Sequence, residues 1–253
     1  MITNTQRILY EDGYYPAHIR KVDSKINYQG YNYNIVNFKE RTTNKVWKVE
    51  LANGIVSYFS ECMVYTDLHW LKPIDEVKVG DLFLTYSPGF SFESSQPLAK
   101  IMGKAFVLND EKSKSFLKHK LKLRSLKNFK LLALNKNIIA DFLCEIVKYK
   151  IHDFSREYII IKKMFNYELL QEILLACSLF GITAMLKKEE GEWNLYINNI
   201  SFMKFITNSG HNMLKTQAVT KITEIKQETQ SFKIEVQTIN NLVVNSVMIK
   251  GDA

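Results

Sequence analysis

The sequence predicts an α+β protein, a mostly-β module formed by both chain ends and interrupted by an α/β insert. Three observations predict it: short aromatic and β-branched runs between Tyr28 and Thr85, helical periodicity from about Gln96 to Met213, and alternation again from Val219 to Ile249. The expected divisions are residues 1–95, 96–215 and 216–253. A chain of 253 residues exceeds the usual single domain, and one module carrying an insert satisfies that prior.

In the first region Tyr31 to Phe38 and Val46 to Leu51 read as strands, with Ala52-Asn53-Gly54 supplying the backbone freedom of a hairpin turn. Gly80-Asp81, after Val77-Lys78-Val79, is a second turn, and Tyr86-Ser87-Pro88-Gly89 is a break. In the second region Ile138, Ile139, Phe142, Leu143, Ile146 and Val147 form one apolar helix face. Leu170, Ile173, Leu174 and Cys177 form another, with Asn166 as N-cap and Gly181 as the stop. Trp193 to Ile197 then alternates as a strand. In the third region Phe232 to Val236 alternates, Asn240-Asn241 makes a turn, and Leu242-Val243-Val244 and Val247-Met248-Ile249 are two more short strands.

Composition narrows the class of protein. With 46% hydrophobic and 12% aromatic residues, the chain can bury a core and does not read as disordered. No apolar run approaches the roughly 18 residues of a membrane span, and Met1 to Gln6 lacks the apolar stretch of a signal peptide. The expectation is an intracellular, non-secreted protein with no membrane partner. Cys62, Cys144 and Cys177 have no paired spacing, so neither a disulfide framework nor a zinc site is expected, and no metal or cofactor is read from the sequence.

Net charge is +8, and the window from Lys112 to Lys130 alone equals that excess. It holds Lys112, Lys114, Lys118, Lys120, Lys122, Arg124, Lys127 and Lys130 with no acidic residue among them. Lys118, Lys120, Lys122 and Arg124 alternate with His119, Leu121 and Leu123, so as a strand all four charges share one side. A nucleic-acid-contacting surface is one reading and a solvated face the other.

At this point a resemblance enters. Met1 to Leu9 followed by Glu11-Asp12-Gly13 resembles the first block of inteins, which are built on a Hint-type β module. Gly54 to Thr66, with Trp70, Lys72 and Glu76 to Asp81, looks like the second block. Phe232 to Val236 and Asn240 to Gly251 are similar to the closing blocks. Between them, Leu134 to Leu143 looks like the approach to the signature helix of LAGLIDADG homing endonucleases, and Tyr167 to Ile182 resembles the helix that follows. Only one such unit is visible, where the family usually has a pair.

What the resemblance implies is then tested on the residues. Splicing starts with an acyl shift onto a thiol or hydroxyl at the first position; Met1 stands there, and a thioether cannot form the ester. A threonine and a histidine polarise the scissile amide in the family; the matching positions are Phe59 and Cys62, and phenylalanine neither donates nor accepts. The family ends on a histidine and a cyclising asparagine, where this sequence has Lys250 and Gly251, with two residues left for any downstream segment. In the nuclease signature an acid at the helix end holds a divalent metal. The matching run Phe142 to Lys150 places Glu145 where a small residue packs and Lys148 and Lys150 where the acid belongs, and a cation there repels the metal. Asp141 and Asp153 lie nearby at other positions.

Other residues carry two readings each. Cys62 is a nucleophile or a small core residue. His69 and His211 are ligands or structural histidines. Trp47, Trp70 and Trp193, placed in strands, are core or edge packing or base-stacking groups, as are Tyr28, Tyr31 and Tyr33. The reading that follows is a splicing-inactive, cleavage-inactive protein derived from an intein with a homing endonuclease, acting as a nucleic-acid-binding or structural component. Such elements commonly reside in viral and phage genomes, so viral or phage origin, and a protein partner in such an assembly, are expected. The host cytoplasm, nucleus or virion would then hold it. Two enzymatic alternatives are an active LAGLIDADG-type endonuclease and an intein that splices.

Overall fold

A computed structural model of the chain describes residues 2–3, 6–17, 25–28, 31–67, 70–93, 96–149, 153–154, 157–162, 166–207, 213–237 and 241–250. In chain order the strands are β1 (Ile2–Thr3), β2 (Arg7–Tyr10), β3 (Gly13–Pro16), β4 (Lys25–Tyr28), β5 (Tyr31–Thr43), β6 (Val46–Leu51), β7 (Val56–Phe59), β8 (Met63–Tyr65), β9 (Leu71–Pro73) and β10 (Leu82–Ser87). The helices α1 (Pro97–Phe106), α2 (Glu111–Lys120) and α3 (Lys136–Tyr149) follow, then β11 (Asp153–Phe154), β12 (Tyr158–Ile161), α4 (Tyr167–Leu179), β13 (Ala184–Glu189), β14 (Glu192–Asn198) and α5 (Asn199–Ile206). The chain closes with β15 (Met213–Ile225), β16 (Thr229–Val236), β17 (Asn241–Val244) and β18 (Val247–Lys250). It divides into two compact units, one of residues 1–88 with 212–253, the other of residues 89–211. No described helix is long and apolar enough to cross a membrane.

The first unit is mostly β. Its strands pair antiparallel in the order β10-β15-β6-β7-β1-β16-β5-β4-β2-β17-β18-β8-β9, and the pair Thr85 with Val247 joins β10 back to β18, so the sheet curls onto itself. Two long strands make this curl. β5 pairs β4 through Tyr31 to Asn34 and β16 through Ile35 to Thr43. β15 pairs β10 up to Ala218 and β6 from Val219, with a register shift between Val219 and Lys221 where the strand changes partner. Alternation decides which side chains go in. In β16 Phe232, Ile234 and Val236 are buried, and Phe232 lies 5.1 Å from the Phe38 ring, while Glu235 accepts from Asn37 at 3.1 Å. Each such fully buried apolar side chain stabilises by about 1.5–3 kcal/mol.

The hairpin turn expected at Ala52-Asn53-Gly54 is present, with Gly54 at φ 89° and the Asn53 side chain accepting from Ile55 N at 3.1 Å. Trp70 is a correction. It stands outside any strand and is 71% exposed, with its carbonyl accepting from both Thr66 N and Thr66 Oγ1. Tyr31 is likewise exposed, whereas Tyr28 and Trp47 are buried. Asn241 opens β17, and Asn240, His69 and His211 lie outside the described residues.

In the second unit, α3, β11, β12, α4, β13, β14 and α5 run in the order helix, two strands, helix, two strands, helix. The four strands form one antiparallel sheet, β11-β12-β14-β13. Ile159, Ile161, Ala184, Leu186, Leu195 and Ile197 share one face and are buried. α4 starts where the sequence places it, with the Asn166 side chain accepting from Leu169 N at 2.8 Å. It stops at Gly181, whose φ of 72° a residue with a Cβ rarely adopts, and Ile182 N returns to the Cys177 carbonyl at 2.9 Å. In α3, of the expected face Ile138, Ile139, Phe142, Leu143, Ile146 and Val147, all are buried except Ile138, which is half-buried.

Candidate functional site

In the first unit the first and last strands come to one bend. Ile2 in β1 pairs with Phe59, the last residue of β7, and Lys250 in β18 pairs with Met63, the first residue of β8. The intervening Ser60-Glu61-Cys62 turns the chain, with Glu61 at φ 23°. β1 is held there from its other side by β16, through Ile2 with Phe232 and Thr3 with Ser231. The positions that the sequence sets against the second and last intein blocks, Phe59, Cys62 and Lys250, therefore lie at or beside these two pairings.

Their chemistry is another matter. Phe59 is wholly buried, its ring edge-on to Phe83 at 6.4 Å, so it fills the core and offers no polar atom to a neighbouring peptide. Cys62 is buried as well, and its carbonyl accepts from Ile74 N at 3.0 Å. That position fits the small core residue of the two sequence readings. Lys250 is exposed. Met1 and Gly251 lie outside the described residues.

A second arrangement, absent from the sequence reading, fixes the last hairpin. Asn245 and Ser246, at φ 46° and 67°, form the two-residue turn between β17 and β18. The Asn245 amide donates to Gln6 Oε1 at 2.8 Å and to the Val56 carbonyl at 3.2 Å, while its Oδ1 accepts from Arg7 N at 3.0 Å. Ser246 Oγ and the Tyr14 hydroxyl are 3.1 Å apart, and Tyr86 N donates to the Ser246 carbonyl. Gln6, Tyr14, Asn245 and Ser246 are buried, which is where a satisfied polar network specifies one arrangement. An asparagine opening a two-residue link between apolar strands was the available signal.

In the second unit, the basic segment is helical where its four charges would share one side only as a strand. Lys118 and Lys120 lie in α2, which ends there, and Lys122 (φ 52°) and Arg124 follow in the turn beyond it. The helix wins because Asp110 caps it, accepting from Ser113 N at 2.8 Å, and because Ser113 and Leu117, four apart, are the buried contacts. Glu111 in the first turn and Lys118, His119 and Lys120 in the last complement the helix dipole. The four charges thus scatter. Lys114 bonds Glu111 at 2.6 Å and Lys130 approaches Glu172 at 4.0 Å, whereas Lys112, Lys118, Lys120, Lys122, Arg124 and Lys127 are exposed.

On α3, Glu145 is only 8% exposed, with Lys148 at 3.7 Å from its Oε1 and no hydrogen-bond partner for Oε2 among the described residues. Asp141 accepts from Gln96 N, just ahead of α1. Burial, then the carboxylates of Asp141 and Glu145, pushes the Cys144 thiol up to about 11. Lys150 and the Asp153 side chain lie outside the described residues. Among the described residues no three His, Cys, Asp or Glu side chains are grouped to hold a metal ion.

No protein-family model matches this chain, and no curated protein does. Solved structures similar to it include inteins and an intein-like domain. The gp41-1 intein is 9% identical, with a TM-score of 0.40 over 99% of this chain and 98% of that one. The Pab PolII intein is 9% identical, with a TM-score of 0.40 over 100% of both chains. The bacterial intein-like domain from Clostridium thermocellum is 8% identical, with a TM-score of 0.37 over 99% of this chain and 97% of that one.

Proposed function

We propose that this chain is an intein-derived protein that keeps the Hint-type β module as a scaffold, neither splices nor cuts DNA, and contacts nucleic acid through its basic segment. The observation that carries the reading is the bend at residues 59–63. β1 and β18 both reach it, as splicing junctions would have to, yet Phe59 fills the core where a polarising hydroxyl belongs and Lys250 stands where the penultimate histidine belongs. The block resemblance of the sequence supports the family. The one run of helix, two strands, helix, two strands and helix in the second unit supports a single endonuclease-like repeat, and Lys148 at the signature position supports its inactivity.

Expressed between two reporter segments, the chain gives only unspliced precursor; ligated reporter overturns the reading. Nicking of duplex DNA that requires a divalent metal would favour the active endonuclease instead.

A further inference from the structure

The basic segment carries an exposed aromatic ring that neither splicing nor nuclease chemistry uses. In α2, Ser113 and Leu117 turn inward, while Phe116 is 48% exposed. At about 100° per residue, Lys112, Phe116, His119 and Lys120 fall within one arc about 100° wide, and all four are exposed. Glu111, the acid of this helix, lies on the other flank, bonded to Lys114 at 2.6 Å. Lys112 and Lys120 are separated by about 12 Å along the axis, with the Phe116 ring midway.

We propose that this face of α2 is a stacking platform for single-stranded nucleic acid, with Phe116 against an unpaired base and Lys112 and Lys120 on the flanking phosphates. The proposal deepens the nucleic-acid part of the function above and rests on it. A base in a duplex is already stacked on both faces, whereas an unpaired base offers its π-face to any exposed ring, whatever its identity. Charge complementarity favours a polyanion of some length, because Lys122, Arg124 and Lys127 continue the acid-free track beyond the helix. One ring is not the wide apolar face with which an amphipathic helix enters a membrane surface.

The test is fluorescence anisotropy of the full chain with a labelled oligothymidine of about 20 nucleotides and a duplex of the same length, at several salt concentrations. The single strand is expected to bind more tightly. Phe116→Ala weakens it by about 5- to 100-fold without changing its salt slope, Phe116→Trp retains it, and neither changes duplex binding. Lys112→Ser with Lys120→Ser flattens the single-strand slope by about 0.7 for each phosphate that is no longer neutralised. Because Phe116 is exposed, thermal unfolding of the variants followed by circular dichroism stays as in the parent. Equal binding of duplex and single strand with a silent Phe116→Ala overturns the platform and leaves the nucleic-acid reading standing. No binding to either at low salt overturns both. Binding to phosphatidylserine vesicles, abolished in Phe116→Ala and with no oligonucleotide bound, makes the face a membrane-binding one and overturns the proposal.

Discussion

Asn245 donates its side-chain amide to Gln6 Oε1 at 2.8 Å across 239 residues of sequence, in the buried interior of the first unit. The bond joins the last hairpin to the first strands. Asn245→Ala leaves Gln6 Oε1 and Arg7 N buried without this partner and forces a Cβ residue without a local hydrogen bond into the left-handed region. We expect a loss of about 2–4 kcal/mol in urea unfolding. Asn245→Gly, which relieves the backbone alone, recovers about 1 kcal/mol of it. Parent-like midpoints for both variants would show that the network does not hold the hairpin.

Phe59→Ala empties a core position against Phe83 and is expected to cost about 3–5 kcal/mol. Phe59→Leu should cost clearly less, since most of the volume stays. The comparison of midpoints separates packing from any role of the position in chemistry, and similar losses in both would contradict the packing account.

Tyr10 is wholly buried, and burial raises its hydroxyl from 10.0 to about 12. The folded value lies above the unfolded one, so the stability this supplies is complete below about pH 10 and is lost as pH rises through about 12. Its hydroxyl has no hydrogen-bond partner among the described residues. Tyr10→Phe is therefore expected to be neutral or stabilising at pH 7 and to make alkaline unfolding less steep. A variant clearly less stable than the parent at pH 7 would reveal a hydrogen bond at that hydroxyl.

Asp110 has its carboxyl held below the usual range by the Ser113 hydroxyl and backbone N–H, to which it is bonded. A depressed folded value means that the cap contributes above the unfolded pKa and is lost as pH falls through the folded one. Amide exchange at Ser113 and Lys114 should speed up in Asp110→Ala at neutral pH, and in the parent only under acid. Unchanged exchange in the variant would mean that α2 does not depend on this cap.

Much of the fold was legible because local chemistry and tertiary packing agree. Asn166 and Gly181 bracket α4 by capping rules that need no distant partner, and Asn53-Gly54 turns the chain by the backbone freedom of Gly54 and a local bond from Ile55 N to the Asn53 side chain. The basic segment reads either way for a physical reason. Its second half, Lys118 to Arg124, alternates with period two, while the evidence for a helix lies earlier, in Asp110, Ser113 and Leu117. Charged side chains at a surface satisfy either period, so the buried contacts decide. Trp70 reads with the strands because its neighbours have strand composition, yet it stands just ahead of β9 and is exposed, which composition does not announce. The site at residues 59–63 was readable only as a set of matching positions; that β1 and β18 arrive there depends on pairings across most of the chain.

Those pairings also set an order of events during synthesis. The second unit is one continuous stretch, residues 89–211, and can close as soon as it has emerged. The first 88 residues cannot: β5, β6 and β1 each lack one of their two partners until β15 and β16 have been made, and the turn at Asn245 comes later still. A nascent chain therefore holds open strand edges for as long as the intervening unit takes to be translated. Its yield in a cell should depend more on the final hairpin than on any other stretch of comparable length.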